Sequence, residues 1–398
     1  MRAVPRVLCI LWGDAGLATS FPEASSVRWW LQRLGLFTLR EPLEEADDWA
    51  WIIDHSIQLG DTKVCVVLGL RLSQLPLPGQ ALCHEDLQTL AVLPVQRSTG
   101  EVVAEQLEAV ACRTGIPRQI VSDRGSDVKK GGELFAARHV GVALLWDAAH
   151  HGAGLLKRRL ESDSRWSAFI ARLGQTKASI QQTSDAHLLA PSLRPKARYM
   201  NLGPLLKWSR RVLELLSRGA EGGVANARAE ARYGWLREYR ASLDEWSRCE
   251  ATVRCGVGFF RTRGVYAGCV EELATELSLL PAKDHHADLA QEWLTYARTS
   301  SASARPGERL VASTEVIESV FGKWKSLERQ ASRGGITSYV LSLGALVGSW
   351  PLSRIKTALE ATPVKHVATW IEENLPTTVQ SQRRLAFSTA VNKTRPND

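Results

Sequence analysis

A single carboxylate set inside an apolar strand constrains this chain more than any other feature. The run Trp49–Leu59 (WAWIIDHSIQL) is apolar, β-branched and aromatic, and it reads as a strand with Asp54 near its centre. Asp is depleted in strands, and desolvating a carboxylate is costly unless something compensates it. Asp54 is therefore either part of a site or a strand-end Asp bonded to backbone. Around it the pattern is regular. Thr62–Leu72 (TKVCVVLGLRL) reads as a second strand joined to the first by a Gly60-Asp61 turn, and Leu90–Val95 as a third. Gly100–Thr114 places Val103, Leu107, Val110 and Ala111 on one face, which predicts an amphipathic helix stopped by Gly115 and Pro117. Arg118–Ser122 is a fourth strand, Gly132–His139 a helix, Val140–Trp146 a fifth strand, and His150–Asp163 returns to helix.

After two antiparallel connections, the helix at 100–114 must cross over to a strand parallel to an earlier one. That succession is the pattern of a ribonuclease-H-like fold. It is an α/β class with a mixed five-stranded sheet and flanking helices, in which strand four lies beside strand one. Asp123 directly follows the fourth strand in Ile120–Val128 (IVSDRGSDV), so Asp54 and Asp123 are expected together at the carboxyl edge of the sheet. Ser122–Gly125 also has the composition of an ordinary turn. Asp127 is a rival carboxylate farther from the strand end, and Asp147, after the fifth strand, a weaker one.

From about residue 151 to 310 strand signals fade into Leu-, Ala- and Arg-rich helical periodicity, as in Leu205–Ser217 and Trp235–Trp246. The net charge of +8 is concentrated here: eleven basic residues between Arg194 and Arg240 face four acidic ones, a surplus of seven. Arg210, Arg211, Arg232 and Arg237, interleaved with Trp208, Tyr233, Trp235 and Tyr239, suit a polyanion with stackable bases, or else form a solvated helix face whose aromatics turn inward. Trp166, Trp208, Trp235, Trp246 and Trp293 are read as core. Seven scattered cysteines without a CxxC pair fit a reducing compartment, and a zinc site from Cys249, Cys255, His285 and His286 matches no strong spacing. Asp14 interrupts the N-terminal apolar run too early for a signal peptide, and the uncharged stretch Ile336–Pro351 reads as a buried helix too short for a membrane span. A cytoplasmic, nucleoid-associated protein without membrane contact is expected.

Glu318 lies in Ser313–Leu327 (STEVIESVFGKWKSL), a predicted helix opened by a Ser/Thr cap pair, with Lys325 two turns on along the same face. Taken with Asp54 and Asp123, this resembles the DDE transposases of bacterial insertion sequences. IIDHSIQLG looks like their first-Asp strand, IVSDRGSD like their second-Asp segment, and TEVIESVFGKWK like their Glu helix with its E-x6-K spacing. Asp54 to Asp123 spans 69 residues and Asp123 to Glu318 spans 195, which resembles members with a domain inserted before the Glu, here a helical one. The likeness covers roughly residues 45–335.

The resemblance implies cleavage of transposon DNA ends and strand transfer into target DNA. It assigns Asp54, Asp123 and Glu318 as catalytic and metal-binding carboxylates holding two Mg²⁺ ions, with Mn²⁺ as an alternative, about 3.5–4 Å apart. Lys325 would position a phosphate, and Lys323 or the basic insertion would grip terminal phosphates. Some relatives carry a Tyr and an Arg at positions held here by Val311 and Thr314, and Thr314 supplies no cation. The implied partners are double-stranded DNA and a second copy of the chain. The resemblance also implies an N-terminal helix-turn-helix, for which few residues precede the first strand. Ala24–Leu36, with Arg28 and Arg33 exposed, is thus expected to be the recognition-type remnant of a truncated module. The expected divisions are a short N-terminal helical segment (1–45), the first part of the catalytic core (46–150), a basic helical insertion (151–310), the Glu helix (311–335) and a helical C-terminal region with a basic tail (336–398). A nuclease or resolvase on the same fold, and a non-catalytic DNA-binding remnant, are the alternatives. His55, Arg124, His150 and His151 are assigned packing or surface roles.

Overall fold

Trp49, Trp51 and Ile53 point to one face of the first strand and Ala50 and Ile52 to the other, and all five are buried. This strand must therefore lie inside a sheet covered on both sides, as it does in the computed structural model, which describes residues 3–10, 20–59, 62–193, 199–219, 223–329, 338–375, 377 and 383–387. The Gly60-Asp61 turn, Arg194, Lys196 and Arg198 of the basic stretch, and most of the tail after Pro376 lie outside the described residues.

The chain divides into two units, Met1–Trp146 with Ser313–Asp398, and Asp147–Ala312. In chain order the first unit contains α1 (Ala3–Leu8), α2 (Ala24–Arg40), β1 (Trp49–Leu59), β2 (Thr62–Arg71), β3 (Gln88–Val95), α3 (Gly100–Thr114), β4 (Gln119–Ser122), α4 (Ser126–Arg138) and β5 (Ala143–Trp146). The second unit supplies α5 (Ala148–Glu161), α6 (Ser164–Ile180), α7 (Gly203–Ser217), α8 (Gly223–Tyr233), α9 (Arg240–Arg263), β6 (Val265–Tyr266), α10 (Cys269–Ser278), α11 (Ala287–Ser301) and β7 (Arg309–Leu310). The chain then returns to the first unit with α12 (Glu315–Glu328), α13 (Leu352–Ala361) and α14 (Val364–Asn374).

The main sheet has the order β3-β2-β1-β4-β5. β1, β2 and β3 are antiparallel neighbours, while β4 is parallel to both β1 and β5. This is the ribonuclease-H-like topology expected from the sequence, with strand four beside strand one. On one face Trp49, Trp51, Ile53, Cys65 and Val67 form a core with Val103, Leu107 and Val110 of α3 and Val128 and Phe135 of α4. The predicted α3 has the expected bounds because its ends are well specified. Thr99 accepts the Val102 amide at 3.3 Å, and Gly115 closes the helix at φ +81° where a Cβ would press on the Ala46 carbonyl. α12 packs against β1 with Val316, Ile317, Val320, Phe321 and Trp324 buried.

Several expectations change. β5 starts at Ala143 rather than Val140, because Val140 is fully exposed in a turn closed by Gly141 at φ +99°. α4 begins at Ser126, well before Gly132. The apolar stretch expected as a buried helix is a 3-10 helix over Ser338–Ala345, whose Gly344 lies on the backbone of Gly35 in α2. The recognition-helix expectation for Ala24–Leu36 meets a packed helix instead. Gln32, Gly35 and Leu36 are buried, Gln32 donates to Ser338 Oγ at 2.7 Å, and neither Arg28 nor Arg33 is exposed. The Arg33 guanidinium donates to the carbonyls of Leu359 and Thr362, the free acceptors at the end of α13.

In the second unit Trp166, Phe169, Trp235, Tyr239 and Trp246 form one aromatic cluster, with Trp166 and Trp246 edge to face at 5.0 Å. Trp235 lies in a 3-10 helix, Gly234–Tyr239, that precedes α9. No helix among the described residues is long and apolar enough to cross a membrane.

The Gly35 contact yields a paired prediction. A Cβ at Gly35 would overlap the Leu341 carbonyl, whereas one at Gly322, on the exposed side of α12, meets nothing within 4 Å. Gly35→Ala should lower the unfolding free energy by about 1–3 kcal/mol, and Gly322→Ala should raise it by about 0.5–1 kcal/mol. Urea denaturation of the two variants measures both.

Candidate active site

The register of β1 on β4 builds the site. The parallel pairs run from Ala50↔Gln119 to Ile53↔Ser122, so Asp54 and Asp123 each stand one residue past the last pair. Neighbouring strands lie about 4.8 Å apart, which makes these two carboxylate-bearing positions neighbours at the carboxyl end of β4. Asp54 pairs across β2 with Val66, and the ladder is irregular between Asp54 and Ile57, where β1 runs on beyond its parallel partner. Both carboxylates are half-buried.

Asp123 is held by its own turn. The Gly125 amide donates to Asp123 Oδ1 at 2.9 Å, and the Ser122 hydroxyl donates to the Asp123 carbonyl at 2.9 Å. A Cβ at Gly125 would sit 3.0 Å from that same Oδ1, which accounts for glycine in Ser122–Asp127 (SDRGSD). The turn reading and the site reading of this segment are thus compatible: the turn fixes the carboxylate.

Glu318 lies half-buried in the first turn of α12, the helix packed on β1. Thr314 is the N-cap residue but makes no side-chain cap bond; Ser313 Oγ accepts the Glu315 amide at 3.3 Å instead. Lys325 is exposed, about 10 Å along the helix from Glu318 by a rise of 1.5 Å per residue. Lys323, five residues on, faces elsewhere: its Nζ is 3.2 Å from Nδ1 of His84, and burial together with that ammonium holds His84 below its usual pKa. Lys323 is therefore turned away from the Glu318 side of the helix.

Asp127, the rival carboxylate, has a different setting. His55 follows Asp54 and so points to the α3–α4 face of the sheet. There its Nδ1 lies 3.2 Å from Asp127 Oδ2, which also accepts from Lys63 Nζ at 2.8 Å. Burial works against the Asp127 charge, but hydrogen bonds from Lys63 and Ser98 and the nearby His55 ring outweigh it and hold the carboxyl far below the usual range. Burial likewise holds the His55 ring below its usual pKa, against the pull of Asp127. Burial pushes the Cys65 thiol up to about 12, with the charges of Asp54 and Asp127 adding to the effect.

Asp54, Asp123 and Glu318 do not form a group whose ligand atoms all lie within 4.8 Å of one another. Two bare carboxylates about 4 Å apart repel by about 4 kcal/mol at an effective dielectric of 20, so close approach requires a cation. The donor set is all carboxylate oxygen, without thiol or imidazole, and fits a hard cation such as Mg²⁺.

Among the described residues, the ligand atoms of Glu245, Cys249 and His286 do come together, all within 4.8 Å of one another. Cys249 and His286 thus come together, with Glu245 and without Cys255 or His285. Cations already hold this cluster. Arg248 Nε donates to Glu245 Oε2 at 3.0 Å, Arg159 lies 3.4 Å from Oε1, and His286 Nδ1 accepts the Leu289 amide at 3.4 Å as the cap of α11. Burial pushes the Cys249 thiol up to about 11, and the cluster is held by two arginines and a helix cap. Asp147 is fully buried as the N-cap of α5, accepting the His150 amide at 2.7 Å and facing His150 Nδ1 at 2.8 Å.

The basic stretch is less free than its composition suggests. Arg232 donates to Asp185 Oδ2 at 2.9 Å, Arg237 pairs with Glu230 and donates to the Leu216 carbonyl at 3.0 Å, and Arg210 lies 3.9 Å from Asp244. Asp185 and Asp244 come from outside residues 194–240, so a local charge count misses them. Lys207, Arg211 and Arg218 are exposed. Trp208 and Tyr233 pack edge to face at 4.9 Å, within the aromatic core rather than on a stacking surface.

No protein-family model matches the chain, and no curated protein matches it in sequence. Among solved structures, a Drosophila P element transposase strand transfer complex is similar over 85% of this chain and 87% of that chain, with a TM-score of 0.42 and 10% identity. That similarity is too slight to bear on function.

The Asp127 contacts predict a pH dependence. Its folded pKa is depressed, so its stabilisation is present above the unfolded value near 4 and is lost as pH falls through the folded value. Asp127→Asn should cost about 1–3 kcal/mol at pH 7 and progressively less below pH ~4. Urea titrations at pH 7 and pH 3 test this; an equal deficit at both would contradict it.

Proposed function

We propose that this chain is a DDE-type transposase that cuts phosphodiester bonds at transposon ends and joins the freed ends to target DNA. The observation that carries it is the β1–β4 register, which makes Asp54 and Asp123 neighbours at the sheet edge, with α12 bringing Glu318 to β1. Asp54 and Asp123, with Glu318, would hold two Mg²⁺ ions (Mn²⁺ the alternative), which supply charge neutralisation at the phosphate and Lewis acidity toward the attacking and leaving oxygens.

The chain's own residues orient the reaction. The Gly125 amide fixes Asp123 by one oxygen, and the half-buried setting of Asp54 and Glu318 limits their hydration. Lys325, exposed on the Glu318 face, is the cation that grips a phosphate beside the scissile bond. In the first step water attacks the phosphorus and a 3′-hydroxyl leaves; in the second that 3′-hydroxyl attacks target DNA and a target 3′-oxygen leaves. Each step breaks one P–O bond and makes one. Double-stranded DNA is the partner, and joining two ends to one target calls for two copies of the chain.

Asp54→Asn, Asp123→Asn and Glu318→Gln should each reduce Mg²⁺-dependent cleavage of end-containing DNA by at least ~10³-fold while DNA binding survives. Normal cleavage by the Asp123→Asn protein would sink the assignment. Products separate a transposase from a nuclease on the same fold, since only the former yields DNA joined to a new target. Replacing Lys207, Arg211 and Arg218 together with Gln should flatten the salt dependence of DNA binding by up to about three in log–log slope. An unchanged slope would return those residues to a solvated helix face.

A further inference from the structure

We propose that Lys63, Asp127, His55 and Ser98 form a positioning unit that clamps the Asp123 turn to β1 and so sets the spacing of the two sheet-edge carboxylates. This rests on the transposase reading above and names residues that act through Asp123 rather than on DNA. Asp127 lies in the first turn of α4, four residues after Asp123, and its Oδ2 joins two strands at once. Lys63 Nζ reaches it from β2 at 2.8 Å and His55 Nδ1 from β1 at 3.2 Å. Ser98, just before α3, adds a contact to His55 Nδ1 at 3.4 Å. The side chains of His55 and Asp127 are only 5% and 13% exposed, so the clamp is shielded from competing water.

The geometry leaves few other ways to hold this turn. β4 is four residues long and its pairing with β1 ends at Ser122, so Asp123 stands one residue past the last pair. α4 starts on Gly125 without a side-chain cap. Asp127 is the next side chain that ties the segment back to β1, and it does so through His55, the residue beside Asp54. His55 Nε2 is buried with no hydrogen-bond partner among the described residues, so the polar contacts that orient the ring there are those of Nδ1. A carboxylate that bonds an imidazole and an ammonium is a stiff, directional link, as are the outer partners that orient ligands in carboxylate-built sites.

Amide hydrogen exchange and Mn²⁺ binding by electron paramagnetic resonance, on the full chain, test the clamp. Asp127→Ala and His55→Leu should speed exchange in the peptide 122–129 by at least ~10-fold and leave β2 and β3 protected. His55→Asn, which keeps a donor near the Nδ1 position, should stay within about threefold of the parent. Mn²⁺ affinity should weaken about 10-fold in the first two variants and be retained in His55→Asn. Unchanged exchange in Asp127→Ala and His55→Leu overturns the clamp, and so does Mn²⁺ affinity equal to that of the parent. Failure of the parent to bind Mn²⁺ would instead overturn the transposase reading, and the positioning role with it. If Asp127→Ala does not fold, the His55→Leu and His55→Asn pair decides.

Discussion

The parallel pairing of β1 with β4 is the constraint on which the rest of the structure depends. β1 is central, paired on one side with β2 and on the other with β4, and Trp49 through Ile53 are buried on both its faces. A one-residue slip would exchange the two faces along its length, turning His55 into the position of Asp54 and displacing Trp49, Trp51 and Ile53 from the α3–α4 core. Hydrophobic packing thereby sets the register, and the register sets Asp54 beside Asp123. Two carboxylate-bearing positions are thereby placed side by side by the packing of apolar neighbours.

The end of this sheet carries acidic groups on two faces, and the structure treats them differently. On the α3–α4 side Asp127 is neutralised by Lys63 and hydrogen-bonded to the His55 and Ser98 side chains. Asp54 and Asp123 stand one residue past the last β1–β4 pair, and α12, which carries Glu318, packs on β1. The buried Cys65 thiol of β2, in the α3–α4-side core, is pushed up chiefly by burial, with the charges of Asp54 and Asp127 adding to it. Asp127 is thus committed to ion pairing and hydrogen bonding within the sheet unit.

Much of the fold was legible because it follows from local periodicity. β1, α3 and the order of the five strands follow from alternation, helical spacing and the stop at Gly115. The contrast between Asp54 and its apolar neighbours, and the Ser-Asp-Arg-Gly turn after β4, pointed to the two positions that the β1–β4 register makes neighbours. The role of Asp127 was not legible, because Lys63 and His55 are 64 and 72 residues away from it. The same holds for Arg33, which spends its guanidinium on carbonyls of α13 more than 320 residues on. In the basic stretch a local count omits Asp185 and Asp244, which pair with Arg232 and Arg210.

By itself the sequence determined the strands and helices of the sheet unit and the residues able to carry chemistry, because propensity, periodicity and turn composition act within a few residues. Only the tertiary structure decided which charges are available. An ion pair such as Arg232–Asp185, a carbonyl cap such as Arg33 on α13, or the Lys63–Asp127–His55 contact depends on elements meeting across loops of any length. Electrostatic and hydrogen-bond energies fall away within a few ångströms in space, and sequence separation does not measure that distance.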